Sequence, residues 1–148
     1  MSKEAKKDAN DYSRFENIED SDAESVHDAK RPVNETMAAA ANLKEEGNER
    51  FKKNDCAAAK MSYEDALHEL REYKEAHVLA ALPDPIKKDL TSLLVSIYGN
   101  LAMVCLKQEN WAKALSHAGS ALRLDGGHVK CLYRRGVAHR WVGELDEA

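Results

Sequence analysis

A repeated spacing of small residues is the feature that most constrains how this chain of 148 residues folds. The spacing is 12, 4 and 3 positions, and it occurs in two sets: Gly47, Ala59, Tyr63, Ala66 and Ala102, Ala114, Ala118, Ala121. Gly136 and Ala148 follow the second set after 34 positions and keep its first interval of 12. Small side chains at these positions let two antiparallel helices approach closely, so the spacing predicts stacked helix pairs.

Helical periodicity begins at Asn34, a predicted N-cap, and continues with few β-branched runs. The pattern predicts helices over 34–51, 59–81, 86–107, 111–124 and 128–141, and the start of a sixth at 145–148. Pro83 is expected to end the second helix and Gly143 to break the fifth. Because glycine adopts left-handed backbone freely, Gly126 and Gly127 predict a turn with positive φ after the fourth helix.

The first 33 residues are predicted to form a disordered acidic tail. Residues 1–36 contain ten acidic and six basic side chains, whereas residues 37–148 contain sixteen of each. The tail has few large apolar residues and no periodic face, so burial cannot offset the entropy lost on ordering. Tyr12, Phe15 and Ile18 recur every three residues before an acidic run. Segment 11–22 is therefore predicted either to bind a second partner as one amphipathic turn or to be a solubilising stretch.

Composition excludes several classes of protein. A net charge of −4 disfavours a nucleic-acid-binding protein, and no apolar stretch approaches the ~20 residues of a transmembrane helix, so no membrane partner is expected. Three cysteines at irregular spacing fit neither a disulfide framework nor a zinc site, and they indicate a reducing, cytoplasmic setting. We predict no metal, no cofactor and no enzymatic activity, since no ligand spacing or catalytic set occurs. Met61, Tyr63 and Trp111 are interpreted as core residues.

The repeated spacing resembles the tetratricopeptide repeat (TPR), a family with small residues at positions 8, 20 and 27 of its unit. The resemblance implies an all-α fold in which helix-turn-helix repeats form a right-handed superhelix with a concave peptide groove. Residues 34–148 would be the TPR domain, with repeats near 40–73, 95–128 and 129–148. The last repeat is truncated, so we expect a fragment of a longer protein.

An insertion at 74–94 separates the first two repeats, and it is expected to lengthen helices two and three. It is similar to the elongated first repeat of large immunophilins and their relatives. The chain departs from the TPR pattern in lacking Trp at position 4 and in placing Gly126 where Pro is usual.

The first helix of each TPR repeat lines the concave face, where residues spaced i, i+3, i+4 form an exposed stripe. The stripe is predicted to comprise Ala41, Lys44, Asn48, Phe51 and Lys52 in repeat one, Ser96, Gly99, Asn100, Met103, Leu106 and Lys107 in repeat two, and Lys130, Tyr133, Arg134, Val137, Arg140 and Trp141 in repeat three. It is basic, carries amides and an apolar floor, and is expected to lack acidic residues. Because acids and bases balance over residues 37–148, this sorting of cations points to an anionic ligand.

Three stretches look like the dicarboxylate clamp of chaperone-binding TPR domains: Lys44-Glu45-Glu46-Gly47-Asn48, Gly99-Asn100-Leu101-Ala102 and Lys130-Cys131-Leu132-Tyr133-Arg134-Arg135-Gly136. In that family, five such positions hold the terminal carboxylate and the terminal Asp side chain of a Glu-Glu-Val-Asp peptide. The resemblance implies a clamp made of Lys44, Asn48, Asn100, Lys130 and Arg134. Charge-assisted donors from several helices suit a chain end with two carboxylates. The ligand's preceding apolar side chain would be received by Phe51, Met103 and Leu106.

The function implied is that of a cochaperone module that binds the C-terminal peptide of heat-shock protein 90, heat-shock protein 70 or both. One alternative is the chaperone-targeting domain of a larger catalytic protein, such as a prolyl isomerase or a phosphatase, with the enzyme outside this chain. Another is a TPR scaffold for a different acidic partner.

Overall fold

Six α-helices and one 3-10 turn make up residues 31–147, the part of the chain that this computed structural model describes. The helices are α1 (Val33–Lys52), α2 (Cys56–Glu69), α3 (Ala76–Ala80), α4 (Asp84–Lys107), α5 (Trp111–Leu124) and α6 (Val129–Glu147), and the 3-10 turn is Arg71–Lys74. No strand occurs within residues 31–147, which agrees with the predicted all-α fold. Residues 1–30 lie outside the described part, so the predictions for the tail and for segment 11–22 stay predictions.

The small residues of the first two repeats lie where paired helices touch. In the first pair, α1 and α2, Ala40, Ala59 and Ala66 are fully buried. Gly47 faces the ring of Tyr63 so closely that a Cβ added to it would lie 2.6 Å from Cε1 of that ring. The spacing therefore marks close helix approach, as the sequence predicts.

The turns that join the paired helices are the same in the first two repeats. Asn54 after α1 and Glu109 after α4 both adopt left-handed backbone, with φ of 65° and 61°. The next residue in each turn, Asp55 or Asn110, caps the following helix by accepting a hydrogen bond from a backbone N–H three positions on. This pairing of a left-handed C-terminal residue with a side-chain N-cap closes each helix pair in the same way.

The predicted second helix is too long. Helix α2 ends at Glu69, and the chain continues through the 3-10 turn into the short helix α3. This bend lets Tyr73 and Leu79 both reach the core, where their exposed fractions are 8% and 7%. Of the two helices expected to be elongated, only the third predicted helix is: it corresponds to α4, which spans 24 residues, whereas α2 spans 14. Pro83 stands at the N-cap of α4 instead of ending α2.

Two predictions, one about the turn that ends the second repeat and one about the last repeat, are also wrong. Helix α6 runs without a break through Gly143 to Glu147, since one glycine in a helix costs only about 1 kcal/mol. No glycine within the described residues has positive φ, so the turn at Gly126 and Gly127 does not use left-handed backbone. Helix α6 packs through the buried Cys131 and Ala138, and Trp141 stacks on Trp111 of α5 with ring centroids 5.1 Å apart.

The core is largest around the first repeat and the insertion. Thirteen buried residues from α1, α2, the segment that joins α2 to α4, and α4 form one cluster, whereas the clusters that reach α6 contain four and three. Cys105 and Cys131 are buried, and burial raises the pKa of both thiols. Met61, interpreted as a core residue, is wrongly assigned, since it is 62% exposed.

Helix α4 corrects an expectation drawn from composition. By length and composition alone it is apolar and long enough to cross a membrane, contrary to the expectation that no stretch approaches that limit. Half of its most apolar window is buried inside the structure. A buried core helix passes the same test, so the finding is weak evidence for a membrane span.

Candidate functional site

The candidate site is a groove to which α1, α4 and α6, the first helices of the three repeats, contribute. Asn100 of α4 donates from Nδ2 to Oδ1 of Asn48 on α1 over 3.2 Å. Arg134 of α6 donates from Nη1 to the carbonyl oxygen of Gly99 on α4 over 2.8 Å. These two contacts join residues that are 52 and 35 positions apart in the chain. Of the predicted clamp residues, Asn48 and Asn100 thus contact each other, and Arg134 contacts α4 at the residue before Asn100.

Close packing under the groove holds Arg134 in place. Its Nη2 lies 3.8 Å from Sδ of Met103, so the guanidinium spans one turn of α4. A Cβ added at Gly99 would lie 3.1 Å from Sγ of Cys131 and 3.4 Å from Nη1 of Arg134. The absence of a side chain at Gly99 therefore makes room for Cys131 and Arg134 of α6. The guanidinium has five N–H donors, so these contacts leave donors for a ligand.

The two predicted clamp lysines lie one helical turn before Asn48 and Arg134. Lys44 is largely covered, with 22% of its side chain exposed, and its Nζ is 4.0 Å from Oε2 of Glu45. Lys130 is exposed on the first turn of α6. Residues four apart on a helix project from the same face, so Lys44 projects beside Asn48 and Lys130 beside Arg134.

The expectation that the stripe lacks acidic residues is wrong. The carboxylate of Glu45 lies 4.0 Å from Nζ of Lys44 and 3.5 Å from Nδ2 of Asn48. Its side chain is 67% exposed, so it can swing away from these donors into solvent. Glu45 thus shows that a carboxylate fits against Lys44 and Asn48. Its position three residues before Asn48, on the same helix face, was a local signal that the predicted stripe left out.

The three residues predicted to receive an apolar side chain are half-buried. Phe51 of α1 packs against the largest core cluster, and Nζ of Lys107 lies 5.4 Å from the centroid of its ring. This cation–π contact brings the C-terminal ends of α1 and α4 together. Leu106 packs against the small cluster formed by α4, α5 and α6. Met103 faces Arg134, as described above, so it lies nearest to the charged part of the groove.

Tyr63 of α2 is a site residue that the sequence interpretation missed. Its ring is fully buried, as expected of a core residue, but its hydroxyl donates to Oδ1 of Asn48. Burial raises the pKa of this hydroxyl, and the nearby Glu45 carboxylate raises it further, whereas Asn100 and Arg134 act in the opposite direction. The hydroxyl therefore keeps its proton at neutral pH. The sequence did contain a signal for this contact: Tyr63 faces Gly47 on the neighbouring helix, and Gly47 directly precedes Asn48.

Comparisons with known proteins place this helical architecture among TPR proteins. No family model matches the chain. It is 38% identical over 111 residues to Protein unc-45 homolog B of Mus musculus, which covers 75% of this chain and 10% of that protein. It is 32% identical over 120 residues to peptidyl-prolyl cis-trans isomerase D of Kluyveromyces lactis, which covers 78% of this chain and 31% of that protein. The chain thus spans less than a third of either relative.

Two solved structures share its fold. The C-terminal TPR-containing domain of a Plasmodium falciparum protein described as an FK506-binding protein superimposes with a TM-score of 0.69 and 34% identity. The match covers 80% of this chain and 75% of that domain. The second TPR of Spaghetti, bound to the HSP90 peptide SRMEEVD, superimposes with a TM-score of 0.58. It is 22% identical and covers 79% of this chain and 89% of that one, so this likeness bears on the fold alone.

Proposed function

Because the chain belongs to the tetratricopeptide-repeat family, we propose that it is an interaction module that binds an acidic C-terminal peptide in the groove of α1, α4 and α6. The ligand is the Glu-Glu-Val-Asp terminus of heat-shock protein 90, heat-shock protein 70 or both. The five clamp residues hold its two terminal carboxylates: Lys44, Asn48, Asn100, Lys130 and Arg134. The module acts in the cytoplasm, in keeping with its three free thiols.

One observation carries the proposal: amide and guanidinium side chains from three separate helices meet at α4, where Asn48 contacts Asn100 and Arg134 contacts Gly99. The Asn48–Asn100 contact and the Arg134–Gly99 contact leave N–H groups on all three side chains for a ligand. Donors that converge from different helices suit two carboxylates on one chain end better than they suit a single surface anion. The 34% identity to a TPR-containing domain of an FK506-binding protein supports the same class of module.

The half-buried apolar residues beside the donors suit the residue that precedes the terminal Asp. Met103 lies next to Arg134, and Phe51 lies under Lys107, so an apolar surface adjoins the cationic one. A valine side chain placed there would be removed from water, and burying a side chain of this size contributes about 1.5–3 kcal/mol at most. The groove thus offers different surfaces to the last two residues of the peptide.

The experiment is a calorimetric titration with a Met-Glu-Glu-Val-Asp peptide, with its C-terminus either free or amidated. Amidation removes one carboxylate and should abolish most binding, because the clamp donors then face a neutral end. Equal affinity for the two peptides would reject the clamp. Terminal peptides of the two chaperones, titrated in parallel, decide which chaperone is preferred.

A second candidate is the chaperone-targeting domain of a larger catalytic protein. The name of the Kluyveromyces lactis relative, an isomerase of which this chain covers 31%, favours this candidate. Peptide binding by residues 34–148 is the same in both cases. A prolyl isomerase assay on the complete protein separates them, since a pure adaptor has no such activity.

A further inference from the structure

The amide of Asn48 is held from one side by two donors. Its Oδ1 accepts a hydrogen bond from the hydroxyl of Tyr63 on α2 and another from Nδ2 of Asn100 on α4, the latter over 3.2 Å. An amide oxygen has two lone pairs, so this oxygen is fully used within the protein. The nitrogen Nδ2 of the same amide remains, and it carries only donors.

We infer that Tyr63 is a positioning residue that turns the Asn48 amide so that Nδ2 faces the ligand, which makes the groove select a carboxylate over a neutral carboxamide. This inference rests on the proposed function. An amide that can turn freely would offer its oxygen to a carboxamide N–H and its nitrogen to a carboxylate with equal ease. An amide whose oxygen is engaged by Tyr63 and Asn100 offers donors alone, which suit both oxygens of a carboxylate but only one of the two polar atoms of a carboxamide.

The contact of Asn48 with Glu45 supports this orientation. Nδ2 of Asn48 already lies 3.5 Å from a carboxylate oxygen of Glu45, which is 67% exposed. The nitrogen side of the amide therefore faces a carboxylate even without a ligand. A peptide carboxylate would replace an acceptor of the same chemistry at this place.

The position of the Tyr63 hydroxyl is set by helix packing. The ring is fully buried, and its edge lies against Gly47, where any Cβ would come within 2.6 Å. Gly47 immediately precedes Asn48, so the close approach of α2 to α1 delivers the hydroxyl to this amide. The raised pKa of Tyr63 keeps the hydroxyl protonated, which leaves it a donor. A phenylalanine would fill the same space without the hydroxyl.

The test is the substitution Tyr63→Phe, with Tyr73→Phe as the matched control, since Tyr73 is also buried but lies on the 3-10 turn after α2. Free and amidated Met-Glu-Glu-Val-Asp peptides are titrated against each protein. Loss of one hydrogen bond should weaken binding of the free peptide by about 3- to 10-fold. Binding of the amidated peptide should stay within about twofold, so the ratio of the two affinities falls. Tyr73→Phe should leave the ratio unchanged.

A double-mutant cycle with Asn48→Ala shows whether Tyr63 acts through Asn48. Once Asn48 is removed, Tyr63→Phe should have no further effect on affinity. An equal effect in both backgrounds, or an unchanged ratio of free to amidated affinity in Tyr63→Phe, would overturn the inference while the proposed function stands. If the wild type itself binds both peptides equally, the proposed function fails first.

A second measurement does not depend on how Tyr63→Phe folds. The side-chain amide signal of Asn48 in the wild-type protein is followed by 15N NMR during titration with the free peptide. The inference requires this signal to shift together with that of Asn100. A shift of Asn100 with no change at Asn48 would reject it.

Discussion

At the scale of single residues, the cations of the groove differ in how firmly they are held. Arg134 is tied to the carbonyl of Gly99 and to Met103, so its guanidinium is already oriented before a ligand arrives. Lys107 lies over the ring of Phe51, but its ammonium is exposed near the end of α4. A preoriented donor loses little entropy on binding. We therefore expect these cations to contribute unequally.

The first prediction compares Arg134→Ala with Lys107→Ala. Removing the Arg134 donor should cost roughly 1.5–3 kcal/mol, or about 10- to 100-fold in affinity for the free peptide. Removing Lys107 should cost about 0–1 kcal/mol, because exposed ion pairs contribute little. Titration of both variants measures the difference, and melting curves check that both fold. Equal losses would show that the groove holds no oriented guanidinium.

The second prediction concerns the turn after α4. Glu109 adopts left-handed backbone with φ of 61°, a conformation that strains any residue with a Cβ. Left-handed backbone costs a residue with a Cβ roughly 1–2 kcal/mol, and glycine loses part of this gain through its larger entropy in the unfolded chain. Glu109→Gly should therefore stabilise the protein by about 1 kcal/mol in urea unfolding. Asn54→Gly is the control in the equivalent turn, and it should gain less because asparagine tolerates this conformation. A destabilised Glu109→Gly would show that the side chain contributes more than the strain costs.

At the scale of elements, the stability of a helix depends on how closely it packs against its neighbours. Gly47 and Gly136 hold the same position in the first and third repeats, yet their surroundings differ. Gly47 touches the buried ring of Tyr63, whereas a Cβ added to Gly136 would meet nothing within 4 Å. The same glycine position is thus required by packing in α1 and not in α6.

The third prediction follows from this difference. Gly47→Ala should destabilise the protein by about 1–3 kcal/mol, because the buried Tyr63 ring cannot move away without strain. Gly136→Ala should stabilise it by about 0.5–1 kcal/mol through the higher helix propensity of alanine. Thermal unfolding followed by circular dichroism measures both. Gly47→Ala as stable as the wild type would mean that the Tyr63 ring shifts to accept the added methyl group without cost.

At the scale of the whole molecule, the net charge is −4, yet the part of the chain that forms the groove is balanced in number and uneven in place. Residues 37–148 contain sixteen acidic and sixteen basic side chains, while Lys44, Lys107, Lys130 and Arg134 all belong to the predicted ligand face. A local excess of cations attracts an acidic peptide over several ångströms even when the net charge is zero. Such attraction acts mainly on the rate of association.

The fourth prediction is therefore that salt slows association more than it speeds dissociation. Raising ionic strength from about 0.05 M to about 0.5 M shortens the screening length severalfold, so the association rate should fall by about tenfold in stopped-flow experiments. The dissociation rate should change by less. Binding unaffected by salt would indicate that apolar contacts at Phe51, Met103 and Leu106 dominate recognition.

The sequence by itself determined the helix pairs of the first two repeats and which residues stand on the first helix of each repeat. Helical period is a local property, so the small residues that pack the pairs followed from their spacing. The placement of Asn48, Asn100 and Arg134 on first helices followed from the resemblance to the TPR pattern. Left-handed backbone at Glu109 was not predictable in this way, because glutamate has no local preference for it and the turn is imposed by closing α4 onto α5.

Only the tertiary structure decided where α2 ends, whether α6 is continuous and what the Tyr63 hydroxyl does. The chain bends after α2 because Tyr73 and Leu79 gain burial in a core built largely by other helices. The sequence identifies Tyr63 as a core residue, and its ring is indeed buried. Its hydroxyl reaches Asn48 only because α2 approaches α1 closely at Gly47. Such contacts depend on the distance between helices, which a periodic pattern along one helix does not contain.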